Sequence, residues 1–494
     1  MAKKIDRIDS VETLEAKLAE MRKAQAVFAT FTQEQVDEIC KQAAMAADKA
    51  RIPLAKMAQA ETGMGVVEDK VIKNNYASEH VHNYFRHKKT CGVISEDKAF
   101  GTKRIAEPVG IVGAVTPTTN PTSTCIFKIL ICLKTRNAIL ISPHPTAKRC
   151  TIEAARIMRE AAEKAGLPEN IICWMDESSI EMTQVMMKEV NLILATGGAG
   201  MVKAAYSSGT PAIGVGAGNG PAYIHRTADV RQAVRRILDS KTFDNGTICA
   251  SEQSIVVERA MEAAVTAELR AQGAYVLDDG EHRQLSKFIL RPNGTMNPAI
   301  VGKSVETVAR LAGLTRVPPT ARVLVARETG VGKGYPYSSE KLGLILAYYV
   351  EDDEEAVLRR CVEILEWEGA GHTFAIHTED QETAKRFAAA VPASRVLVNT
   401  PASLGGIGAT TCLFPALTLG CGAVGGSSSS NNIGPLDLIN IKRVAWGVRE
   451  LEELRGGGRA GAVAPHSAGA GASHVVDERL LDELVSQIAR RLSV

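Results

Sequence analysis

The sequence predicts an α/β protein in which helices cover both faces of parallel β-sheets. Two observations support this fold class. From about residue 103, short apolar runs typical of strands alternate with helical patterns, which is the arrangement of βαβ units. A second block of the same kind covers residues 226–425, so two α/β domains account for the 494 residues better than one.

Residues 8–90 are predicted to form helices that precede the first sheet. Apolar residues recur there at spacings of three and four, and Ser10 and Thr32 stand where they can cap two successive helices. Strand-like runs follow at residues 103–117 and 137–143. The chain therefore changes from helical to alternating structure near residue 103.

The first α/β block continues with a helix over residues 150–168 and a strand over residues 191–198 that opens a short helix. Gly197 and Gly198 stand at this turn, where the free N–H groups of a helix N-terminus can face a pyrophosphate. On the residues alone, a nucleotide site and an ordinary βα turn are equally good interpretations.

The second block contains five apolar runs that predict strands, and a sixth run at residues 437–446 closes the globular part. The five runs cover residues 254–258, 322–326, 342–350, 372–378 and 395–399. Residues 456–473 are rich in Gly and Ala and predict a flexible linker. Residues 474–494 predict an amphipathic helix at the end of that linker.

Composition excludes several classes of function. The formal net charge is only +2, so neither a nucleic acid nor a membrane is expected as a partner. The N-terminus has no apolar signal run, which indicates a cytoplasmic protein. The ten cysteines show no C-x-x-C pairs, and no H-E-x-x-H or P-loop motif is present, so we expect no metal.

One cysteine stands in a distinctive stretch, FDNGTICASEQ, at residues 243–253. Composition alone favours a core role for Cys249, since free cysteine is often buried. A second stretch, GCGAVG at residues 420–425, matches the dinucleotide pattern G-x-G-x-x-G. It runs into GSSSSNN instead of a helix, so a tight turn is the better interpretation.

A family resemblance covers residues 10–450. It rests on VTPTTNPTS, ISPHPTA, LATGGAGMV, IGVGAGNGPAY, DNGTICASEQ, SSEKLGLILAYY, GHTFAIHT and GCGAVGGSSSSNNIGPLDLINIK, in this order and spacing. The chain resembles the aldehyde dehydrogenase superfamily, and specifically the CoA-acylating propionaldehyde or acetaldehyde dehydrogenases found with bacterial microcompartments. The resemblance implies a Rossmann-like nucleotide-binding domain over residues 1–225, an α/β catalytic domain over 226–425, and a β oligomerisation arm that includes 426–455.

The resemblance also implies the chemistry. It predicts NAD-dependent oxidation of acetaldehyde or propionaldehyde to an acyl-CoA, with Cys249 as the nucleophile that forms a thiohemiacetal and then a thioester. Because an ordinary thiol is mostly protonated at neutral pH, we expect the site to lower the pKa of Cys249. Asn120 matches the oxyanion-hole amide, the alternative being a turn asparagine. His372 is either a base or orienter for the CoA thiol or a structural histidine.

The residues that the resemblance assigns to the nucleotide fall into two sets. Glu340 matches the ribose-binding carboxylate, and Leu342 matches an apolar residue beside the nicotinamide. The others are expected to line the nucleotide cleft: Thr116, Pro117, Ser142, His144, Gly197, Gly198, Ala199 and Gly216.

One departure from the hydrolytic aldehyde dehydrogenases decides the expected product. Those enzymes carry a glutamate that activates water, whereas residues 215–219 here contain no carboxylate. The thioester should therefore wait for CoA, its co-substrate. Glu252 is close to Cys249 in sequence, and a structural role is the better interpretation for it.

Partners and alternatives follow from the same resemblance. Residues 474–494 resemble the encapsulation peptides that carry enzymes into microcompartments. This resemblance predicts shell or cargo proteins as partners and a microcompartment location. The alternative is a helix that folds back on its own oligomer. A homodimer or homotetramer is expected. Two other functions stay open: a hydrolytic aldehyde dehydrogenase, and a catalytically idle assembly component.

Overall fold

The structure is a computed structural model that describes residues 7–292 and 294–455; at Ala199, Glu452 and Glu453 it describes the backbone alone. The predicted linker and targeting helix, residues 456–494, lie outside the described residues. Within them the α/β prediction is confirmed. No described helix combines the length and apolarity that a membrane crossing requires.

The described residues contain fifteen strands and seventeen α-helices. The strands are β1 Gly92–Asp97, β2 Thr102–Pro108, β3 Ile111–Val115, β4 Ala138–Ser142, β5 Ile172–Trp174, β6 Leu192–Thr196, β7 Ala212–Val215, β8 Pro221–Ile224, β9 Ser254–Glu258, β10 Ala274–Val276, β11 Val323–Arg327, β12 Ile345–Glu351, β13 Gly371–His377, β14 Ala393–Val398 and β15 Ile439–Ala445. The helices are α1 Val11–Phe28, α2 Gln33–Lys49, α3 Arg51–Thr62, α4 Val67–Asn75, α5 Val81–Phe85, α6 Pro121–Lys134, α7 Lys148–Lys164, α8 Ile180–Glu189, α9 Ala199–Ser207, α10 Val230–Thr242, α11 Glu262–Ala271, α12 Asp279–Ile289, α13 Val305–Ala312, α14 Glu354–Trp367, α15 Gln381–Ala390, α16 Ala402–Gly406 and α17 Leu451–Arg455.

The N-terminal helices begin where the sequence predicts. The hydroxyl of Ser10 accepts a hydrogen bond from the Thr13 backbone at 3.2 Å, and that of Thr32 accepts one from Gln35 at 3.3 Å. Each bond satisfies a free N–H group of the first helical turn. Both capping predictions are confirmed.

The first sheet has five parallel strands in the order β5-β4-β3-β6-β7. The chain runs from β3 outward to β5 and then returns to the other side of β3, so the direction of winding changes between β3 and β6. In open α/β sheets, ligands bind outside the carboxyl ends of the strands at such a point. The buried amine of Lys128 on α6 donates to Val115 O at 2.7 Å and to Leu194 O at 2.9 Å at this position.

The second sheet has seven parallel strands in the order β10-β11-β12-β9-β8-β13-β14. Its strand β8, residues 221–224, lies between β9 and β13. The chain therefore changes sheets within residues 216–220, a few residues before the boundary expected from the sequence. This strand has only four residues, all of them buried, so no alternation of apolar and polar side chains marks it in the sequence.

The chain divides into two compact units. The larger contains Glu107–Asn440 together with the residues up to Cys91, and it holds both parallel sheets. The smaller contains Gly92–Ala106 and the described residues from Ile441 onward. A separate three-stranded sheet has the order β1-β2-β15, with β1 antiparallel to β2, and most side chains of β1 and β15 are exposed. Its role as an oligomerisation arm stays a prediction.

Candidate active site

Cys249 and His372 meet at one edge of the seven-stranded sheet. Cys249 precedes β9 and His372 begins β13, and these strands flank β8 in a parallel arrangement, so their amino ends share an edge. The Sγ atom of Cys249 lies 3.2 Å from Nε2 of His372, although 123 residues separate them in sequence. The thiol is half-buried and the imidazole is fully buried.

The loop between β7 and β8 fits closely against Cys249. A Cβ atom added to Gly218 would lie 1.8 Å from the carbonyl oxygen of Cys249. No side chain can occupy that space, so glycine is required here by close approach of two backbones. The stretch that lacks a water-activating glutamate is thus the stretch that packs directly on Cys249.

The electrostatics of Cys249 differ from the sequence-based expectation. Burial, followed by the charge of Glu340, raises the pKa of the Cys249 thiol to about 12. The expectation of a lowered pKa is therefore wrong, because desolvation disfavours the thiolate. The resting thiol is protonated, and attack on a carbonyl carbon requires a group that accepts its proton.

His372 is placed to accept that proton. Burial, aided by the charge of Arg395, lowers the pKa of His372 to about 3, so its ring is neutral. Its Nδ1 lies 2.9 Å from the hydroxyl oxygen of Thr373. The tautomer with its proton on Nδ1, donated to Thr373, leaves Nε2 free to accept from the thiol.

Asn120 lies against the loop that carries Cys249. It stands at the N-cap position of α6, where its side chain makes no capping hydrogen bond. Its Nδ2 donates instead to the carbonyl oxygen of Thr247 at 3.1 Å and to the hydroxyl of Thr119 at 3.2 Å. Its Oδ1 accepts from the ammonium group of Lys73. Lys73 was not among the predicted site residues, since nothing in its helical surroundings distinguishes it from a surface lysine in the sequence.

A crevice of about 340 Å³ lies at the carboxyl ends of β3, β4 and β6. Two hydroxyl oxygens in its lining, those of Ser178 and Thr196, are buried and have no hydrogen-bond partner within the described chain. The helix α9 opens beside them, and no side chain caps its first N–H groups. These unsatisfied donors fit the hydroxyl and phosphate groups of a dinucleotide. Six of the predicted nucleotide residues line this crevice: Thr116, Pro117, Ser142, His144, Gly197 and Gly198.

The lining of this crevice does not include Gly216 or Leu342. Ala199 is the first residue of α9, and Gly216 lies beside the sulfur of Cys421. Leu342 is half-buried, and its carbonyl oxygen accepts from the Gly302 backbone at 2.8 Å. The structure thus gathers six of the predicted residues in the crevice, with Ala199 next to Gly198 in the chain, and does not place Gly216 or Leu342 in its lining.

Glu340 is not in the crevice lining and contacts the loop that packs on Cys249. Its Oε1 accepts from the backbone N–H of Gly218 at 2.9 Å, which brings a carboxyl group close to Cys249. Burial, followed by the charge of Glu368, raises the pKa of Glu340 to about 8. At neutral pH this carboxyl is mainly protonated, and a protonated carboxyl cannot take a proton from water.

Glu252 forms its hydrogen bond with α16 and not with Cys249. It is buried, and its Oε1 accepts from the backbone of Ala402 at the start of α16 at 2.9 Å. Burial raises its pKa to about 7. These contacts fit the structural role proposed for it from the sequence.

One group of side chains could hold a metal ion by distance alone. The ligand atoms of His225, Glu258 and Glu354 lie within 4.8 Å of one another. Glu258 pairs with Arg226 and Glu354 pairs with Arg386, so both carboxylates already have a cation. The group lies at the carboxyl ends of the strands, at the opposite edge of the sheet from Cys249.

Comparison with known proteins gives consistent similarities. The aldehyde dehydrogenase family matches residues 4–311. The bifunctional aldehyde-alcohol dehydrogenase of Escherichia coli (strain K12) is 51% identical over 445 residues, which are 89% of this chain and 50% of that protein. The chain spans about half the length of the first curated relatives it matches.

Two solved structures extend these similarities. An acetylating aldehyde dehydrogenase from Geobacillus thermoglucosidasius is 47% identical, with a TM-score of 0.87 over 89% of this chain and 98% of that one. A propionaldehyde dehydrogenase from the Clostridium phytofermentans fucose utilisation bacterial microcompartment is 26% identical, with a TM-score of 0.79 over 90% of this chain and 98% of that one. The resemblance drawn from the sequence motifs is confirmed, and with it the α/β fold class.

Proposed function

The chain belongs to the aldehyde dehydrogenase family, and from this premise we propose that it oxidises a short-chain aldehyde with NAD⁺ and transfers the acyl group to CoA. The observation that carries the proposal is the 3.2 Å contact between Cys249 Sγ and His372 Nε2, beside a loop without an ionised carboxylate. Acetaldehyde and propionaldehyde are the proposed substrates.

The first half of the reaction makes the acyl-enzyme. His372 accepts the thiol proton as Cys249 Sγ bonds to the aldehyde carbon, and the amide N–H of Asn120 stabilises the negative oxygen of the thiohemiacetal. Bound NAD⁺ supplies the hydride acceptor when this adduct collapses. The adduct loses only a hydride as the thioester forms on Cys249, and His372 releases the thiol proton to solvent, so its ring is neutral again before CoA reacts.

The second half transfers the acyl group. The CoA thiol gives its proton to the neutral ring of His372 and attacks the thioester carbon, and Cys249 leaves as the thiolate. His372 then returns the proton to Cys249. One imidazole thus serves both thiols, because each must lose its proton at the same place.

Transfer to CoA is favoured over hydrolysis by the state of the nearby carboxyl group. Activation of water needs a base strong enough to take its proton, yet residues 215–219 offer no carboxylate and Glu340, with a pKa of about 8, is mainly protonated at neutral pH. A thiol such as CoA is far more acidic than water, so a weak base such as buried His372 is sufficient for it. The thioester should therefore last until CoA arrives.

The crevice lining favours NAD⁺ over NADP⁺. No Lys or Arg is among its lining residues in the described part of the chain, and a 2′-phosphate needs such a partner. Lys148 stands close by in sequence, but its amine pairs with Glu177 at 2.9 Å. Ile180 lines the same crevice with 80% of its surface exposed, and it offers an apolar face to the adenine ring.

Product analysis tests the proposed function directly. With aldehyde, CoA and either nucleotide, we expect acyl-CoA and reduced nucleotide in equal amounts, and a higher kcat/KM for NAD⁺ than for NADP⁺. Mass spectrometry identifies the thioester, and both aldehydes should be assayed because one methylene is worth only about 1–3 kcal/mol. Free carboxylic acid as the main product in the presence of CoA would contradict the proposal.

We also propose that the enzyme is microcompartment cargo. The support is the resemblance of residues 474–494 to encapsulation peptides, together with the microcompartment origin of the Clostridium phytofermentans relative. A fluorescent protein carrying residues 456–494 should co-purify with microcompartment shells, whereas the enzyme lacking them should not. Equal recovery of the truncated and full-length enzymes with shells would contradict this role. Assembly into dimers or tetramers stays a prediction.

A further inference from the structure

We propose that Lys73 is a positioning residue that holds the amide of Asn120 with its N–H group turned toward the loop of Cys249. Lys73 lies on α4 and is 3% exposed. Its ammonium group has three donors and contacts three acceptors: Oδ1 of Asn120, Oδ2 of Asp244 and, at 3.2 Å, the hydroxyl of Thr247. This role rests on the proposed function, since it gives the oxyanion amide its orientation.

The two ends of the Asn120 amide explain why an ammonium group matters. The oxygen faces Lys73, and the nitrogen faces the loop, where it donates to Thr247 O at 3.1 Å. A flipped amide would turn its NH₂ group toward the ammonium donors and its oxygen toward the carbonyl of Thr247. Donors would then face donors at Lys73, and an acceptor would face an acceptor at Thr247. The contact with Lys73 therefore excludes that orientation.

A cation on Oδ1 also makes the amide a better donor. An ammonium bonded to the amide oxygen draws electron density from the nitrogen, and hydrogen bonds in series strengthen one another at low dielectric. The thiohemiacetal oxygen carries its negative charge at the far end of this series. Lys73 therefore acts on the reaction through Asn120 and does not touch the substrate.

The buried charge of Lys73 is compensated by Asp244. This aspartate stands in the FDNGTIC stretch with φ of 49°, in the left-handed region, and its Oδ1 accepts from the backbone of Val66 at 2.7 Å. A Cβ atom on Gly65 would lie 1.9 Å from that oxygen. The chain just before α4 can therefore lie this close to Asp244 only because residue 65 is a glycine. Burial lowers the pKa of Lys73 to about 8 while Asp244 opposes the shift, and the amine is mainly protonated at neutral pH.

Lys70 provides a matched control on the same helix. It is 2% exposed, and its amine also pairs with Oδ2 of Asp244, at 3.0 Å. Its other acceptor is the backbone oxygen of Thr119 at 3.2 Å, and not the amide oxygen of Asn120. Lys70→Met removes the same charge from the same carboxylate but leaves the orientation of the Asn120 amide intact.

The test is a double-mutant cycle on acylation of Cys249 by p-nitrophenyl acetate, measured as the burst of p-nitrophenolate. This ester forms a tetrahedral oxyanion on Cys249 without nucleotide or aldehyde, so it separates failure of the positioning role from failure of the proposed function. Asn120→Ala should slow acylation by about 10²- to 10³-fold. Lys73→Met should slow it by about 10- to 100-fold, since the amide remains but loses its orientation.

The proposal is tested by the coupling between the substitutions at Lys73 and Asn120. In the Asn120→Ala background, Lys73→Met should change the rate by less than about twofold, whereas Lys70→Met should have the same effect in both backgrounds. NADH affinity and the melting temperature, measured in parallel, report whether each variant is folded, and Lys73→Gln replaces Lys73→Met if the latter is not. Equal slowing by the Lys73 variant with and without the Asn120 amide would overturn the positioning role.

Discussion

Without CoA, aldehyde and NAD⁺ should produce a burst of about one equivalent of NADH per Cys249 and then almost stop. The reason is the fate of the thioester: no ionised carboxylate within residues 215–219 activates water, and the carboxyl held by Gly218 has a pKa of about 8. Because a general base typically contributes about 10²- to 10⁴-fold, steady NADH formation without CoA should be slower by a similar factor.

Stopped-flow absorbance measures the burst, and intact-protein mass spectrometry should find one acyl group per chain after it. Addition of CoA should release that group as acyl-CoA and restore turnover. The pH dependence gives a second check, since Glu340 ionises as pH rises through about 8 and could then activate water. Slow hydrolysis should therefore increase above that pH. Sustained turnover to carboxylic acid at neutral pH would exclude the acyl-transfer assignment.

Replacement of Cys249 by alanine should abolish NADH formation, with a loss on the order of 10⁴-fold or more. The hydride can leave only from a tetrahedral adduct, and this variant cannot form one on the enzyme. The acyl adduct and the p-nitrophenolate burst should disappear together with NADH formation. NADH binding should persist, because the crevice at the other sheet does not include Cys249.

The exposed Cys412 is the control for this experiment. Cys412→Ala removes a thiol that is accessible to reagents but lies in no described contact with Cys249 or His372, so activity and adduct should stay unchanged. If Cys249→Ala retained steady NADH production, or if the acyl group were found on another cysteine, the nucleophile would be wrongly assigned. The alternative function, a catalytically idle assembly component, would gain support only if the wild-type protein showed no activity.

Local sequence information predicted much of the fold. Ser10 and Thr32 cap helices because a hydroxyl at that position satisfies N–H groups only three residues away, which makes caps readable from short segments. Apolar runs of five or more residues gave the longer strands of both sheets. The strand of residues 221–224 was missed, since four buried residues carry no periodic signal.

The sequence by itself determined the family, the identity of Cys249 as the candidate nucleophile and the lack of a carboxylate at residues 215–219, because each is carried by short motifs and by their order along the chain. Only the tertiary structure decided which groups surround that thiol. His372 reaches it across 123 residues, and Lys73 reaches Asp244 across 171, through the order of strands and the packing of α4. The direction of the Cys249 pKa shift was decided there too, since desolvation depends on what packs around a group and not on its neighbours in the chain.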